Sequence, residues 1–294
     1  MSGHRQENIY LAIQAAGQEG LFRVQTLCEI ADIARSSYYK WLKHTPSTRE
    51  MENRQLTQDM LALHEEVRGI YGYRRLALNL SRRAKKQINH KRIQRLMKIV
   101  GIQSVIRRKR KRFVYSPPEQ VAENLLNREF YAKESNEKWL TDVTEFKYGN
   151  GQKAYLSAIL DLHDNVIVSY EMGHANNNEL VFRTIDSALK AALGSKPMLH
   201  SDRGFQYTSH TFKHLYADKL TQSMSRVGRC IDNGPMESFW GSIKCEKYYL
   251  NDNNYPTFEA LRKDIDEYIS FYNYDRLQEK LNGLSPMEFR TKAA

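Results

Sequence analysis

Two apolar runs rich in β-branched residues, Tyr155–Leu162 and Val166–Met172, stand three residues apart with His163-Asp164-Asn165 between them. Strand composition on both sides of so short a turn reads as a hairpin. The segment before it, Lys138–Phe146 (KWLTDVTEF), alternates as a strand does and makes the third member of a meander. Downstream, helical and strand signals take turns. Asn178–Leu193 has helical period, Lys196–His200 is a short strand, and Ser209–Ala217 is helical. Thr221–Ser225 is another short strand, and Asp232–Tyr249 is a helix capped by Asp232 or Asn233. A meander followed by helix, strand, helix, strand and helix predicts an α/β unit with a mixed five-stranded sheet and flanking helices. Thr257–Tyr274 closes it as an amphipathic helix, and Leu284-Ser285-Pro286 opens one last turn.

Before about residue 125 the pattern is purely helical. Residues 21–43 read as two short helices around a turn near Asp32, one striped by Val24, Leu27 and Ile30, the other by Tyr38, Trp41 and Leu42. Ser36 and Ser37 are candidate N-caps. This is helix-turn-helix spacing, with Arg35, Ser36, Ser37 and Lys40 available to a nucleic acid. In residues 47–112, Tyr71-Gly72-Tyr73-Arg74-Arg75 opens a helix carrying Leu76, Leu78 and Leu80. Asn89 caps a second helix in which Ile93, Leu96 and Met97 pack while Lys91, Arg92, Arg95 and Lys98 stay outside; Gly101 stops it. Arg74, Arg75, Lys91, Arg92 and Arg95 are candidate phosphate contacts. Arg107–Arg112, with Arg108 and Arg110 among them, is an unbroken cationic run that calls for an anion nearby. Pro117 and Pro118 mark a linker. The expected division is therefore an N-terminal helix-turn-helix (1–46), a basic helical domain (47–115), a linker (116–130) and an α/β core with C-terminal helices (131–294).

Charge follows the same division. The 294-residue chain carries +11 overall, but residues 1–120 hold +14 and residues 121–294 hold −3. A basic front on a slightly acidic back suggests a polyanion-binding part joined to a separate working part. No apolar run is long enough to span a bilayer, and the first residues carry no apolar signal segment, so a cytosolic protein is expected. Cys28, Cys230 and Cys245 lie far apart, fitting neither a disulfide framework nor a Cys-x-x-Cys zinc site.

Three acidic residues stand out by position. Asp142 lies on the first strand of the meander, Asp202 directly follows the fourth strand, and Glu237 lies one turn into a helix. Strand ends in α/β sheets are where sites collect. Three converging carboxylates repel at neutral pH, and such a cluster implies a hard divalent cation. Trp139, Phe239 and Trp240 read as core or interface aromatics, and Ser201, Arg203 and Tyr207 as residues shaping the strand-end pocket.

The segments TDVTEF around Asp142, HSDRGFQYTS around Asp202 and SMSRVGRCIDNGPMESFWGSIKCE around Glu237 resemble the second-reading-frame transposases of the insertion-sequence-three family. YGYRRLALNL with INHKRIQRLMKIVGI upstream, and YNYDRLQEKLNGLSPMEFR at the end, match the same family in order, from about residue 20 to 292. The resemblance implies a catalytic core similar to retroviral integrases and ribonuclease H. It implies a catalytic, metal-holding triad of Asp142, Asp202 and Glu237, with Mg²⁺ or Mn²⁺ as cofactor, as a pair of ions. Thirty-four residues separate Asp202 from Glu237, one fewer than is usual in that family, and the shortfall lies in HLYADKLTQSMS. Lys244, seven residues after Glu237 and two turns along the same helix face, is expected to meet DNA phosphate near the site. The implied function is metal-dependent cleavage and strand transfer of element ends. The implied partners are double-stranded DNA as ends and target, further copies of the chain on DNA, and an upstream-frame product fused or partnered. The implied setting is a bacterial nucleoid, with no membrane. A ribonuclease H-type nuclease would leave the helix-turn-helix units unexplained, and a DNA-binding regulator would leave the carboxylates unexplained.

Overall fold

A computed structural model describes residues 2–20, 22–104, 123–226, 230–251 and 255–293, with the backbone alone described for 2–7, 230–231 and 293. It divides into two compact units, Met1–Asp59 and Met60–Ala294. The Arg107–Arg112 run, including Arg108 and Arg110, lies outside the described residues.

In the first unit α1 (Ser2–Gln18), α2 (Val24–Ile30) and α3 (Arg35–Leu42) surround a small core of Tyr10, Ile13, Cys28 and Tyr38. The turn between α2 and α3 passes through Asp32 at φ 53°, a left-handed conformation that a short polar side chain tolerates. Three local expectations need correction. α1 has no counterpart in the sequence reading, yet its Tyr10 stacks on Trp41 with centroids 5.3 Å apart. Ile30 and Leu42 do not join their stripes and are 74% and 44% exposed. Ala34 precedes α3 with no side-chain cap, leaving Ser36 and Ser37 inside the first turn. α4 (Thr48–Glu66) begins in this unit.

The second unit holds α5 (Tyr73–Arg83) and α6 (His90–Val100), which pack through Leu76, Ala77 and Leu80 on one side and Ile93, Leu96 and Met97 on the other. Asn89 caps α6 by accepting from the Lys91 amide at 2.8 Å, and Gly101 ends it at φ 72°.

The sheet has the order β3-β2-β1-β4-β5. β1 (Lys138–Tyr148), β2 (Gln152–Asp161) and β3 (Ile167–Gly173) form the antiparallel meander. β4 (Met198–Ser201) and β5 (Thr221–Met224) add in parallel on the free side of β1. This is the ribonuclease H-like architecture. Strand alternation divides the core in two. Leu140, Phe146 and Tyr148 of β1, with Leu156, Ala158 and Leu160 of β2, face α10 (Gly234–Glu246) and α11 (Phe258–Tyr274). Trp139 and Ile159 face the other way, toward α7 (Asn178–Ala191) and α9 (His210–Tyr216). α8 (Phe205–Thr208) and α12 (Pro286–Ala293) complete the unit; α12 has more than the single turn expected.

The start of α10 also differs from expectation. Asp232 is not its cap: the fully buried carboxylate accepts from Arg128 Nε at 2.6 Å and Arg226 Nε at 3.0 Å. Burial alone would raise this carboxyl, but the two guanidiniums hold it well below the usual range. The helix opens instead after Asn233, with Pro235 in its first turn.

Candidate active site

Register carries two of the three carboxylates together. In the parallel ladder Leu140 of β1 sits beside His200 of β4. Continuing two residues along both chains brings Asp202, just past the end of β4, alongside Asp142. The even step keeps Asp142 on the α10 side of the sheet, with Leu140 and Phe146. Glu237 arrives from the first turn of α10. Asn233 ties the start of that helix to β1 by donating from Nδ2 to the Thr141 carbonyl at 3.3 Å.

Asp142 is held on both oxygens. Its Oδ1 accepts from the Val143 amide at 2.8 Å, and its Oδ2 accepts from Trp240 Nε1 at 3.0 Å. Its carboxyl is nevertheless pushed up to about 7, by burial first, then by the charge of Asp202, with Glu237 adding to it. Asp202 is exposed at the rim, yet the protein packed around its carboxyl raises it too, against the Gly204 amide donated to Oδ1 at 2.9 Å. The Tyr207 hydroxyl bonds Thr141 Oγ1 at 3.2 Å and is driven up by burial and by the charges of Asp202 and Asp142. The structure thus brings all three acids into one electrostatic neighbourhood.

Asp142 and Asp202 offer oxygen only, and like charges meet where burial already penalises ionisation. That donor set suits a hard divalent cation. Among the described residues no three Asp, Glu, His or Cys side chains are grouped closely enough to cage one ion. Mg²⁺ needs no such cage, since it is commonly held by one or two carboxylates together with water and substrate phosphate.

Residues 132–230 and 237–293 match the Integrase core domain family, and residues 51–110 match the HTH-like domain family. The InsK protein of insertion sequence element IS150 from Escherichia coli is 38% identical over 273 residues, covering 92% of this chain and 94% of that protein. The chain belongs to the insertion-sequence-three transposase family. An uncharacterized transposase-like protein of Haemophilus influenzae is 43% identical over 208 residues, covering 70% of this chain and 95% of that protein. Transposase InsF of insertion sequence IS3A from Escherichia coli is 29% identical over 282 residues, covering 92% of this chain and 95% of that protein. Among solved structures, the integrase catalytic core domain of HTLV-2 in complex with magnesium aligns with a TM-score of 0.43 at 20% identity, covering 54% of this chain and 98% of that chain.

The basic residues expected to meet DNA are placed unevenly. Lys244 is half-buried on α10, its ammonium 5.2 Å from the centroid of the Phe146 ring. Arg35, Lys40, Arg74, Lys91 and Arg95 are exposed, and Arg92 is half-buried. Arg75 departs from the outward role expected of it: it is half-buried and donates to Glu246 on α10 at 3.2 Å. Arg203 is turned inward as well, donating from Nε to the Ser225 carbonyl at 2.8 Å.

Trp240 is a residue of the site that the sequence pattern does not single out, since it reads there as a core or interface aromatic. The signal was present in its spacing. Glu237, Trp240 and Lys244 stand at i, i+3 and i+7 on α10, one face of a helix, and a buried indole N–H normally finds an acceptor. What could not be read was which acceptor.

Proposed function

We propose that this chain is a DNA transposase that cuts the ends of an insertion sequence and joins them to a target duplex, working through Asp142, Asp202 and Glu237. The observation that carries the proposal is the Asp142 carboxylate, held on both oxygens on the central strand β1 and sharing one electrostatic neighbourhood with Asp202 and Glu237, in a chain of this family. These residues would hold Mg²⁺ or Mn²⁺, as a pair of ions. When bound, such ions supply an activated water or 3′-hydroxyl and stabilise the leaving alkoxide.

The protein's own contribution is to hold and orient. The Val143 and Trp240 N–H groups fix the Asp142 carboxylate, and the Gly204 amide fixes that of Asp202. Lys244, on the face of α10 that carries Glu237, anchors a phosphate of the transferred end. Arg35, Lys40, Arg74, Lys91, Arg92 and Arg95 bind the duplex through its phosphates, in a sequence-tolerant and salt-sensitive way. Copies of the chain assemble on the DNA ends.

The test is incubation of the protein with candidate element ends and Mg²⁺ or Mn²⁺, scoring nicked and joined products separately, with and without the upstream-frame product. Asp142→Asn, Asp202→Asn and Glu237→Gln are each expected to abolish cleavage while leaving DNA binding intact. Nicking without joining would favour a ribonuclease H-type nuclease. Tight binding with no metal-dependent cleavage would favour a regulator.

A further inference from the structure

Even-numbered residues of β1 share a face with α10, and the contacts between the two run in step. Asp142 meets Trp240, and four residues further along each element Phe146 meets Lys244. Trp240 is 4% exposed and packs beside Phe239, the rings tilted by 47° with centroids 5.1 Å apart. Its indole is thereby held in one place by the core, and its single N–H is aimed at Asp142 Oδ2 at 3.0 Å. Val143 N takes the other oxygen at 2.8 Å. One donor is backbone and belongs to the strand. The other comes from the helix that also carries Glu237, so the pose of Asp142 depends on how α10 is seated.

We propose that Trp240 is a positioning residue, which sets the orientation of the Asp142 carboxylate for divalent-metal binding through its indole N–H and ties that orientation to the seating of the Glu237 helix. It touches neither substrate nor ion. An outer hydrogen-bond partner of this kind fixes its ligand in the bound geometry, so its loss weakens metal binding about 10- to 100-fold in known sites. The inference rests on the metal-binding reading of Asp142 above, and deepens it.

The experiment titrates Mn²⁺ into the full chain by calorimetry without DNA, for wild type, Trp240→Phe and Asp142→Asn, and in parallel follows end cleavage against Mg²⁺ concentration. Trp240→Phe keeps an aromatic ring in the core but removes the donor. It is expected to weaken Mn²⁺ binding about tenfold and to raise the half-saturating Mg²⁺ by a similar factor. Cleavage at saturating Mg²⁺ should stay within about threefold of wild type. Where Trp240→Phe fails to fold, benzothienylalanine at position 240, which replaces the N–H by sulfur in a ring of the same shape, carries the same expectation. Unchanged Mn²⁺ affinity in a folded variant lacking the donor overturns the proposal. A loss that excess metal does not restore, with Mn²⁺ affinity intact, would assign Trp240 to core packing and also overturns it. Failure of the underlying reading looks different: wild type and Asp142→Asn would then bind Mn²⁺ equally.

Discussion

A single methyl group at Gly204 would disturb the rim of the active site. A Cβ there would lie 2.7 Å from Gln206 Oε1 and 3.0 Å from Asp202 Oδ1, the oxygen that the Gly204 amide itself holds. Neither neighbour gives way freely: Gln206 is buried with its amide donating to Asn176 Oδ1, and Asp202 has its carboxylate pinned at that point. Gly204→Ala is therefore expected to lower the melting temperature and to lower Mg²⁺-dependent cleavage at least several-fold. Parallel melting curves and cleavage rates check this, and an unchanged rate would mean that Asp202 has slack. The residue scale also explains why Trp139 and Trp240, alike in sequence, differ in role. Odd and even positions face opposite layers of the core, and Trp139 of β1 lies in the layer away from α10.

Helix α10 is anchored at both ends by different chemistry. Its start is tied to β1 through Asn233 and the Thr141 carbonyl. Near its end, Glu246 accepts from Arg276 Nε at 2.8 Å and Nη2 at 2.7 Å, from Tyr268 Oη at 2.8 Å and from Arg75 at 3.2 Å. The Arg276 side chain is 5% exposed, so removing its carboxylate leaves a buried guanidinium unmatched. Glu246→Ala is expected to destabilise the protein by about 3–5 kcal/mol. Glu246→Gln, which keeps the acceptor oxygen, should cost less, and denaturant unfolding of the two variants distinguishes them. On the same helix, Lys244→Ala should slow cleavage and joining without changing Mn²⁺ affinity. Lys244→Arg should restore part of the rate, since it keeps the charge but bonds phosphate differently. Full rescue of Lys244→Ala by excess metal would move this lysine from phosphate to metal support.

Across the second unit, the helical pair α5–α6 is joined to the end of the chain. Arg82 of α5 pairs with Glu288 of α12, and Leu78 lies against Gly283. The Arg82 guanidinium first, then the Ser285 amide, hold the Glu288 carboxyl at about 2, below its ordinary 4.5. A lowered folded-state value means that the unfolded chain binds the proton more readily. The contribution is whole above pH 4.5 and is lost as pH falls toward 2. Glu288→Gln should therefore lose less stability than wild type over that window, which chemical denaturation at several pH values reads directly. At the same scale, the +14 charge of residues 1–120 predicts a steep salt dependence of DNA binding. Replacing both Lys91 and Arg95 by Ala should reduce the slope of log affinity against log salt by roughly two, if each meets one phosphate. An unchanged slope would remove α6 from the DNA contact.

Periodicity was enough to place the meander, the two later strands and the helices that follow, because each is a local pattern that one apolar face imposes on its own segment. The placement of Asp142 on a strand and of Asp202 at a strand end was legible for the same reason. Polar partners over long sequence distances were not legible. Asp232 looked like a helix cap because its neighbours allow one, and only folding revealed Arg128, 104 residues away, as its partner. Arg75 looked like a DNA contact because its helix is basic, yet it lies 171 residues from the carboxylate that claims it. Trp240 reads as a core or interface aromatic because burial is what an apolar helix face dictates, whereas its acceptor depends on how α10 is seated on β1. Local hydrophobic pattern determines which faces are buried. Which polar groups then meet inside is decided by register and helix seating, and these exist only once the sheet and its helices have come together.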